Sequence, residues 1–277
     1  MHPTISVIQR NVKEALREDL GTGDIHQKLI SKDKNCDAYV IARSPGVLCG
    51  EPWATEVFRM VDQSVNVTWL VTDGEPLVPN QPFLQLHGKA TSLLTAERTC
   101  LNFLQLLSAT ATQTRQCVDQ VKHTNVRILD TRKTIPGLRV AQKYAVSVGG
   151  GVNHRMGLYD AYLIKENHIR AAGSIASAVE TARRLEPDVL LEVEVESLNE
   201  LNQAVVVGVT RVLLDNFSTE QMREAVRIYG GQIELEASGG IDIHNLVEIA
   251  ETGVDYISLG SLTKNIQAVD LSMQLST

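Results

Sequence analysis

ILDTRKTIPGLRVAQKYAVSVGGGVNHRMGLYDAYLIKENHI, residues 128–169, is the stretch from which we predict the fold. One short apolar run ends at its start and a second lies near its end, at residues 126–129 and 161–164. Runs of this length and composition predict buried parallel strands. The polar sequences that follow them, DTRK and KENH, would then lie at the carboxyl edge of the sheet, where α/β barrels build active sites.

This stretch contains eight basic side chains, seven of them candidate ligands, although the whole chain has 26 Lys and Arg against 33 Asp and Glu residues and a formal net charge of −7. Arginine offers a planar fork that suits carboxylates and phosphates, whereas lysine offers a compact point charge. Basic residues gathered in an acidic chain therefore predict a pocket for an anion. The seven are Arg132, Lys133, Lys143, His154, Arg155, Lys165 and His168.

The segment downstream of residue 125 alternates strand and helix patterns. Strand candidates end near residues 130, 165, 194, 215, 238 and 260, and the last three intervals, each of roughly 22 residues, suit minimal βα units. Six parallel strands predict an α/β fold with an irregular or open barrel, because a closed barrel of this kind needs eight.

The segment upstream has a different character. Residues 5–17 and 50–61 have helical spacing, and residues 37–48, 65–71 and 82–88 are predicted strands separated by Pro, Gly and Asp turns. A long helix is predicted to begin at Thr95. We therefore expect a first α+β domain that supports the site without supplying its centre.

The third predicted strand of the barrel carries acidic residues at alternate positions. Glu192, Glu194 and Glu196 would point to one face, and the intervening valines would face the helices. Buried carboxylates are costly unless they meet cations or a metal, so we expect Lys165, Arg132 or magnesium beside them. Glu194 and Asp215 end neighbouring strands and offer the oxygen ligands that magnesium prefers.

Two glycine-containing loops follow the last two strands. Ser238-Gly239-Gly240 and Gly260-Ser261 allow backbone N–H groups to approach an anion closely, and loops at these positions of barrels commonly bind phosphate. They predict a phosphate site.

Composition excludes several other functions. No basic block exists, so we expect no nucleic-acid partner, and no apolar run is long enough to suggest a membrane span. The first twenty residues lack the pattern of a secretion signal, which favours the cytoplasm. The four cysteines are scattered without a Cys-x-x-Cys pair and are predicted to be reduced thiols.

Eight blocks spread over most of the chain resemble the quinolinate phosphoribosyltransferase family, whose members are also called nicotinate-nucleotide pyrophosphorylases (carboxylating). The blocks are EDLGTGDI (18–25), TAERTCLNFLQLLSATAT (95–112), DTRKTIPGLR (130–139), GGGVNHRMGLYDAYLIKENHI (149–169), LEVEVESLNEL (191–201), LLDNFS (213–218), LEASGGI (235–241) and ISLGSLT (257–263). The resemblance implies an N-terminal sandwich domain over residues 1–110, an irregular barrel over residues 111–264, and a tail, residues 265–277, that returns to the first domain.

The resemblance also implies a reaction and a site. Quinolinate would receive a phosphoribosyl group from phosphoribosyl pyrophosphate and lose CO2, with Mg2+ as the metal and no organic cofactor. Arg98 would reach the neighbouring site of a homodimer. The implied quinolinate ligands are Arg98, Arg132, Lys133, His154, Arg155 and Lys165; Glu194 and Asp215 serve magnesium and the sugar donor, and Ser238, Gly239, Gly240, Gly260, Ser261 and Lys264 bind phosphate.

The chain departs from the family pattern at three places. Thr263-Lys264-Asn265 stands where the family usually has Thr-His-Ser, which puts the Lys264 contact in question; His26 replaces a frequent Thr, and Ala109 a frequent Gly. Two other functions stay open: a related transferase that acts on a different ring acid, and a non-catalytic protein that binds a phosphate metabolite. The number of basic residues favours a dicarboxylate, because a monocarboxylate would leave several of them unpaired.

Overall fold

The computed structural model describes residues 2–31 and 34–276. They form two compact units: a first unit within Met1–Arg115, Thr134–Gly150 and Leu262–Thr277, and a second unit of Gln116–Lys133 and Gly151–Ser261. The helices are α1 Ile5–Leu20, α2 Glu51–Val61, α3 Ala90–Val121, α4 Arg139–Val148, α5 Glu166–Ala172, α6 Ile175–Leu185, α7 Leu198–Val206, α8 Thr219–Tyr229, α9 Leu246–Ala250 and α10 Ser261–Lys264, with a 3-10 helix at Ile25–Leu29. The strands are β1 Asn35–Ala42, β2 Gly46–Val47, β3 Asn66–Trp69, β4 Pro76–Leu77, β5 Pro82–Lys89, β6 Arg127–Leu129, β7 Ala161–Ile164, β8 Leu190–Val195, β9 Arg211–Asp215, β10 Glu234–Ser238, β11 Tyr256–Ser258 and β12 Leu271–Leu275.

The first unit is built on a four-stranded antiparallel sheet in the order β12-β1-β5-β3. Strand β12 near the end of the chain pairs with β1, Val40 lying opposite Met273. Buried aromatic and aliphatic side chains pack α1, α2 and α3 around this unit, with Trp53 and Phe58 among the largest of them. Apolar burial of this extent stabilises the unit independently of any ligand.

The second unit contains the predicted parallel sheet. Six strands follow the order β6-β11-β10-β9-β8-β7, and each pair of neighbouring strands is parallel. Strands β6 and β7 stand at the two ends of this order, so the sheet is an open α/β barrel, as predicted. The carboxyl ends of β7 and β8 therefore lie side by side, and so do those of β9 and β10.

The long helix α3 begins earlier than the sequence predicted. It starts at Ala90, directly after β5, and not at Thr95. Thr95 is buried inside the helix, where its hydroxyl donates to Asp24 Oδ2 at 2.7 Å. A side chain engaged with a distant residue does not cap a helix, so the Ser/Thr signal misplaced this boundary.

No helix in the described part of the chain combines the length and apolar content that crossing a lipid bilayer requires.

Candidate active site

Asp130, directly after β6, organises the loop that carries two of the predicted anion ligands. Its carboxylate is fully buried and accepts from Asn153 Nδ2 at 2.6 Å and from the His154 backbone N–H at 2.9 Å. Arg155 follows at once, and its Nη1 donates to Ala161 O at 3.2 Å. Because a buried carboxylate fixes one end of this segment and β7 the other, the Arg155 guanidinium is held in a defined direction.

Two arginines come together at this edge. Burial lowers the pKa of Arg155, and the nearby positive charge of Arg132 lowers it further, while Asp160, Glu192 and Glu194 act in the opposite direction. Both arginines are half-buried. Two positive charges held close together in a partly desolvated site repel each other, and an anion bound between them offsets that repulsion. The pair therefore favours the binding of an anion.

Lys165, the first residue after β7, forms an ion pair with Glu194 near the end of β8. Both residues were predicted at neighbouring strand ends, and the parallel pairing of β7 with β8 explains their approach. The Lys165 side chain is 44% exposed and that of Glu194 only 15%. Lys165 therefore already neutralises a carboxylate, and it adds less net positive charge to the anion site than the sequence suggested.

A buried charge cluster lies below these residues. It consists of His154, Glu192, Glu236 and Arg211: His154 Nε2 lies 3.0 Å from Glu192 Oε2, Arg211 Nε 3.3 Å from Glu192 Oε1, and Arg211 Nη2 3.0 Å from Glu236 Oε2. The Arg211 guanidinium also stacks 4.3 Å from the Tyr256 ring centroid. Buried carboxylates require such partners, and Glu192 finds two of them in His154 and Arg211, of which the sequence did not suggest Arg211.

The third predicted carboxylate of this strand behaves differently. Strand β8 ends at Val195, so Glu196 lies beyond it and is exposed. Only Glu192 and Glu194 occupy the interior face.

Donor chemistry alone would also allow a metal in this cluster, because ligand atoms of His154, Glu192 and Glu236 lie within 4.8 Å of one another. Arg211 contacts both carboxylates and supplies the positive charge that a metal would bring. A divalent cation would have to stand against a buried guanidinium. The cluster therefore fits a structural ion network better than a metal site.

The two carboxyls of the cluster ionise differently. Burial would raise the pKa of Glu192, but the hydrogen bond and charge of His154, the charge of Arg211 and a hydrogen bond with Glu236 outweigh burial and leave the pKa below its usual range. Burial and the charge of Glu192 raise the pKa of Glu236 to about 7. The Glu236 carboxyl thus keeps its proton more readily than the Glu192 carboxyl.

Glu236→Gln is expected to change how stability depends on pH. The folded-state pKa of Glu236 exceeds its ordinary value of 4.5, so the protonated carboxyl favours the folded state below pH 4.5, and this contribution falls away as the pH rises towards 7. The difference amounts to about 3 kcal/mol. Urea unfolding should show Glu236→Gln gaining about 2 kcal/mol of this difference relative to the unsubstituted protein between pH 5 and 7.5.

The control for this comparison is Glu180→Gln, which alters an exposed carboxylate on α6. A stability difference between Glu236→Gln and the unsubstituted protein that is equal at both pH values would contradict the raised pKa.

Asp215 at the end of β9 is joined to the glycine loop after β10 through Asn216. The Asn216 N–H donates to Ser238 O at 2.9 Å, and its side-chain Nδ2 donates to Asp215 Oδ2 at 2.9 Å. Asn216 has a φ of 55°, and a Cβ on Gly239, whose φ is 94°, would stand 2.2 Å from Asn216 Oδ1. Only glycine fits this approach, so the loop and the end of β9 pack as one piece.

Gly239→Ala is expected to destabilise the protein far more than alanine at two comparable glycines. Gly240 and Gly231 also have positive φ, at 63° and 76°, but an added Cβ there would meet nothing within 4 Å. Their substitution costs only the left-handed backbone, about 1 kcal/mol, whereas the clash with Asn216 adds about 2 kcal/mol. Urea unfolding of the three variants tests this order, and equal losses would contradict it.

Lys133 lies beside the second glycine loop. A Cβ on Gly260 would stand 2.9 Å from Lys133 Cδ and 3.8 Å from its Nζ. The Lys133 ammonium is therefore next to the Gly260-Ser261 loop, where a phosphate was predicted, although the sequence assigned Lys133 to quinolinate.

The remaining predicted residues are distributed over both units. Arg98 and Lys264 belong to the first unit and are exposed; their roles stay predictions. Lys143, also of the first unit, is fully buried on α4. His168 Nδ1 accepts the Lys165 backbone N–H at 3.0 Å and caps α5. His168 therefore caps a helix through Nδ1, and its contribution to an anion site stays a prediction.

Sequence reasoning missed Asp130, Asn216 and Arg211 as organisers of the site. Arg211 shares its strand face with Asp215, because the two are four residues apart on β9. The sequence did contain a signal for Arg211, because a basic residue begins this buried strand on the same face as the acidic residue that ends it.

Comparisons with known proteins agree on one family. Models of the N-terminal and C-terminal domains of quinolinate phosphoribosyl transferase match residues 24–108 and 110–274. The nicotinate-nucleotide pyrophosphorylase (carboxylating) of Mycobacterium leprae is 42% identical over 273 residues, 95% of each chain, and a probable one from Bacillus subtilis is 40% identical over 260 residues, 94% of this chain and 90% of that one. The solved nicotinate-nucleotide pyrophosphorylase of Francisella tularensis gives a TM-score of 0.97 at 49% identity, covering 99% of this chain and 98% of that chain.

Proposed function

The chain belongs to the quinolinate phosphoribosyltransferase family, and we propose that Arg132 and Arg155 of its second unit bind the quinolinate carboxylates. It is a pentosyltransferase of NAD biosynthesis, a nicotinate-nucleotide pyrophosphorylase of the carboxylating type. The reaction joins the ring nitrogen of quinolinate to the ribose of phosphoribosyl pyrophosphate and yields nicotinate mononucleotide, pyrophosphate and CO2.

The observation that carries the residue assignment is the closeness of Arg132 to Arg155, which lowers the pKa of Arg155 after burial has done so. A dicarboxylate offers one anionic group to each guanidinium and relieves their repulsion. Lys165 contributes a third cation at the edge of the same site, where it is shared with Glu194. A monocarboxylate would satisfy only part of this charge.

We propose that the sugar donor occupies the side of the site formed by β8 to β11. The half-buried carboxylates of Glu194 and Asp215 at adjacent strand ends fit Mg2+ by their hard oxygen donors. Bound there, Mg2+ would neutralise the pyrophosphate leaving group. The loops at Ser238-Gly239-Gly240 and Gly260-Ser261, with Lys133 beside the second, would hold the 5′-phosphate, and Lys264 is a further candidate for it.

In the proposed chemistry the side chains mainly orient and neutralise. The arginines aim the ring nitrogen at the anomeric carbon, so that a bimolecular attack proceeds within one complex. The carboxylates of Glu194 and Asp215 would stabilise the positive charge that develops on the ribose. Once alkylated, the positively charged ring nitrogen stabilises the electron pair that stays on the adjacent ring carbon when its carboxylate leaves as CO2, and that carbon then takes up a proton. This step needs no organic cofactor.

We further propose a cytoplasmic homodimer in which Arg98 of each subunit completes the site of the other. Arg98 is exposed on α3 and lies outside the second unit. The four cysteines are free thiols, three of them buried, which suits a reducing compartment.

Mixing two inactive variants tests the shared site. Arg98→Ala and Arg132→Ala subunits, unfolded and refolded together in equal amounts, should recover about a quarter of the wild-type activity, because half of the dimers are mixed and each has one intact site. Each variant refolded alone is the control. No recovery in the mixture would contradict a contribution of Arg98 across the interface.

Release of CO2 from carboxyl-labelled quinolinate tests the reaction itself. Purified protein with phosphoribosyl pyrophosphate and Mg2+ should release CO2, and omission of either should stop it. Nicotinate, offered in a parallel reaction, should not be converted. Conversion of nicotinate instead would indicate a related transferase for another ring acid, and binding of phosphoribosyl pyrophosphate without turnover would indicate a non-catalytic binding protein.

A further inference from the structure

Gln142 is a buried polar residue that has no part in the proposed site. It lies on α4, between the blocks at residues 130–139 and 149–169 that resemble the family. Its side chain is fully buried. A buried amide is costly unless its donor and its acceptor both find partners, so the partners of this amide show what the residue does in the fold.

The Gln142 amide joins two segments that follow neighbouring strands. Its Oε1 accepts from the Ile135 backbone N–H at 2.7 Å, and its Nε2 donates to Thr263 O at 2.9 Å. Ile135 belongs to residues 130–138 after β6, here called the β6 loop, and Thr263 to residues 259–265 after β11, here called the β11 segment. Because a backbone N–H only donates and a carbonyl only accepts, the orientation of the amide is fixed.

The two segments carry the two halves of the proposed site. Arg132, three positions before Ile135, lies on the β6 loop and is proposed to bind a quinolinate carboxylate. Gly260-Ser261 and Lys264, which directly follows Thr263, lie on the β11 segment and are proposed to bind the 5′-phosphate. A shift of either segment would therefore displace ligand groups.

The β6 loop and the β11 segment also approach each other nearer to the strands. A Cβ on Gly260 would stand 2.9 Å from Lys133 Cδ and 3.5 Å from Thr131 Oγ1. This approach lies in the second unit, whereas Gln142 and both of its partners belong to the first. The spacing of the two segments is thus set by direct packing at one place and by the amide at another.

We propose that Gln142 is a positioning residue whose single buried amide holds the quinolinate side and the phosphate side of the site in register. The inference rests on the proposed function, which places quinolinate at Arg132 and the 5′-phosphate at the β11 segment. Asn11 Nδ2 also holds the β6 loop, at Gly137 O and 3.1 Å. The Gln142 amide differs in that its other end holds the β11 segment.

Calorimetric titration with quinolinate and with ribose 5-phosphate, each alone, measures the two halves separately. Ribose 5-phosphate carries the phosphate but no pyrophosphate leaving group, so no turnover occurs. Gln142→Leu keeps the approximate size of the side chain and leaves the Ile135 N–H and the Thr263 carbonyl without this partner. It should weaken the binding of each probe by about tenfold.

Gln142→Glu separates the two halves. An ionised carboxylate still accepts from the Ile135 N–H, but it has no donor for Thr263 O. The affinity for quinolinate should therefore stay within about threefold of the unsubstituted protein, whereas that for ribose 5-phosphate should fall by about tenfold. A residue that serves only the stability of α4 would not produce this difference between probes.

Val146→Ala is the matched control. Val146 is also fully buried on α4, so its truncation loosens the packing of the helix without removing either hydrogen bond. Urea unfolding identifies the temperature at which all variants are folded, and Val146→Ala should then bind both probes as the unsubstituted protein does.

Three results would overturn the proposal. The first is a Gln142→Leu protein that binds both probes as tightly as Val146→Ala does, and the second is a loss for one probe alone in Gln142→Leu. The third, which decides the matter even where Gln142→Leu does not fold, is an equal change for the two probes in Gln142→Glu.

The titrations separate this inference from the proposed function. A protein that releases no CO2 but shows the expected losses would lose the proposed reaction and keep the role of Gln142. Release of CO2 by the unsubstituted protein, with unaltered probe binding in Gln142→Leu, would have the opposite meaning. An unsubstituted protein that binds neither probe would overturn both.

Discussion

Arg132→Ala should lower kcat/KM for quinolinate by about 10³-fold or more. Removing one partner of a desolvated charge pair costs about 4 kcal/mol or more, which corresponds to about three powers of ten. The loss is large because Arg132 lies half-buried beside Arg155, and the second guanidinium alone would have to hold two carboxylates. CO2 release at several quinolinate concentrations measures the effect.

Two matched variants sharpen this prediction. Arg132→Lys keeps the charge but loses the planar fork, so it should recover only part of the activity. Arg227→Ala removes an exposed arginine on α8 of the same unit, which pairs with Glu224 at the surface, and should retain full activity. If Arg132→Ala differs little from Arg227→Ala, Arg132 is not a quinolinate ligand.

The sequence predicted those parts of the site that lie in one local pattern. Lys165 and Asp215 both stand at or directly after the carboxyl end of an apolar strand, and parallel pairing brings such ends to one edge. The order of strands did not have to be known for this prediction, because any parallel arrangement places these residues at the same edge of the sheet.

Long-range partners could not be predicted in the same way. Arg211 begins β9, and its role depends on the register that places it opposite Glu234 on β10 and near Glu192 on β8. Single-sequence reasoning gives no such register. It therefore suggested Lys165, Arg132 or magnesium for the carboxylates of β8, of which Lys165 does pair with Glu194, and it passed over Arg211, which pairs with Glu192.

Counting basic residues also overestimated the charge available to a ligand. Lys143 is buried on α4, His168 caps α5, and Lys165 is paired with Glu194. Each of these is a local use of a polar side chain that competes with ligand binding. Composition alone cannot distinguish a basic residue that interacts within the fold from one that is available to bind a ligand.

Asp215→Asn should raise the Mg2+ concentration needed for half-maximal activity by about tenfold or more and lower kcat/KM for phosphoribosyl pyrophosphate by about 10²-fold. Asparagine keeps the size of the side chain and one oxygen, but it loses the negative charge that attracts a hard divalent cation. Asn216 Nδ2, which donates to Asp215 Oδ2, would face either that oxygen or a like amide. Titration of activity with Mg2+ at saturating quinolinate measures the change.

Variants of other carboxylates show whether the loss of activity in Asp215→Asn comes from weaker Mg2+ binding or from the loss of a negative charge in general. Glu196→Gln removes an exposed carboxylate just past β8 and should leave the Mg2+ titration unaltered. Glu194→Gln should resemble Asp215→Asn in its Mg2+ requirement, but it should also strengthen quinolinate binding, because Lys165, released from its carboxylate partner, then adds its full positive charge to the anion site. If Asp215→Asn loses activity with no change in its Mg2+ requirement, Asp215 acts on the ribose and the metal is held elsewhere.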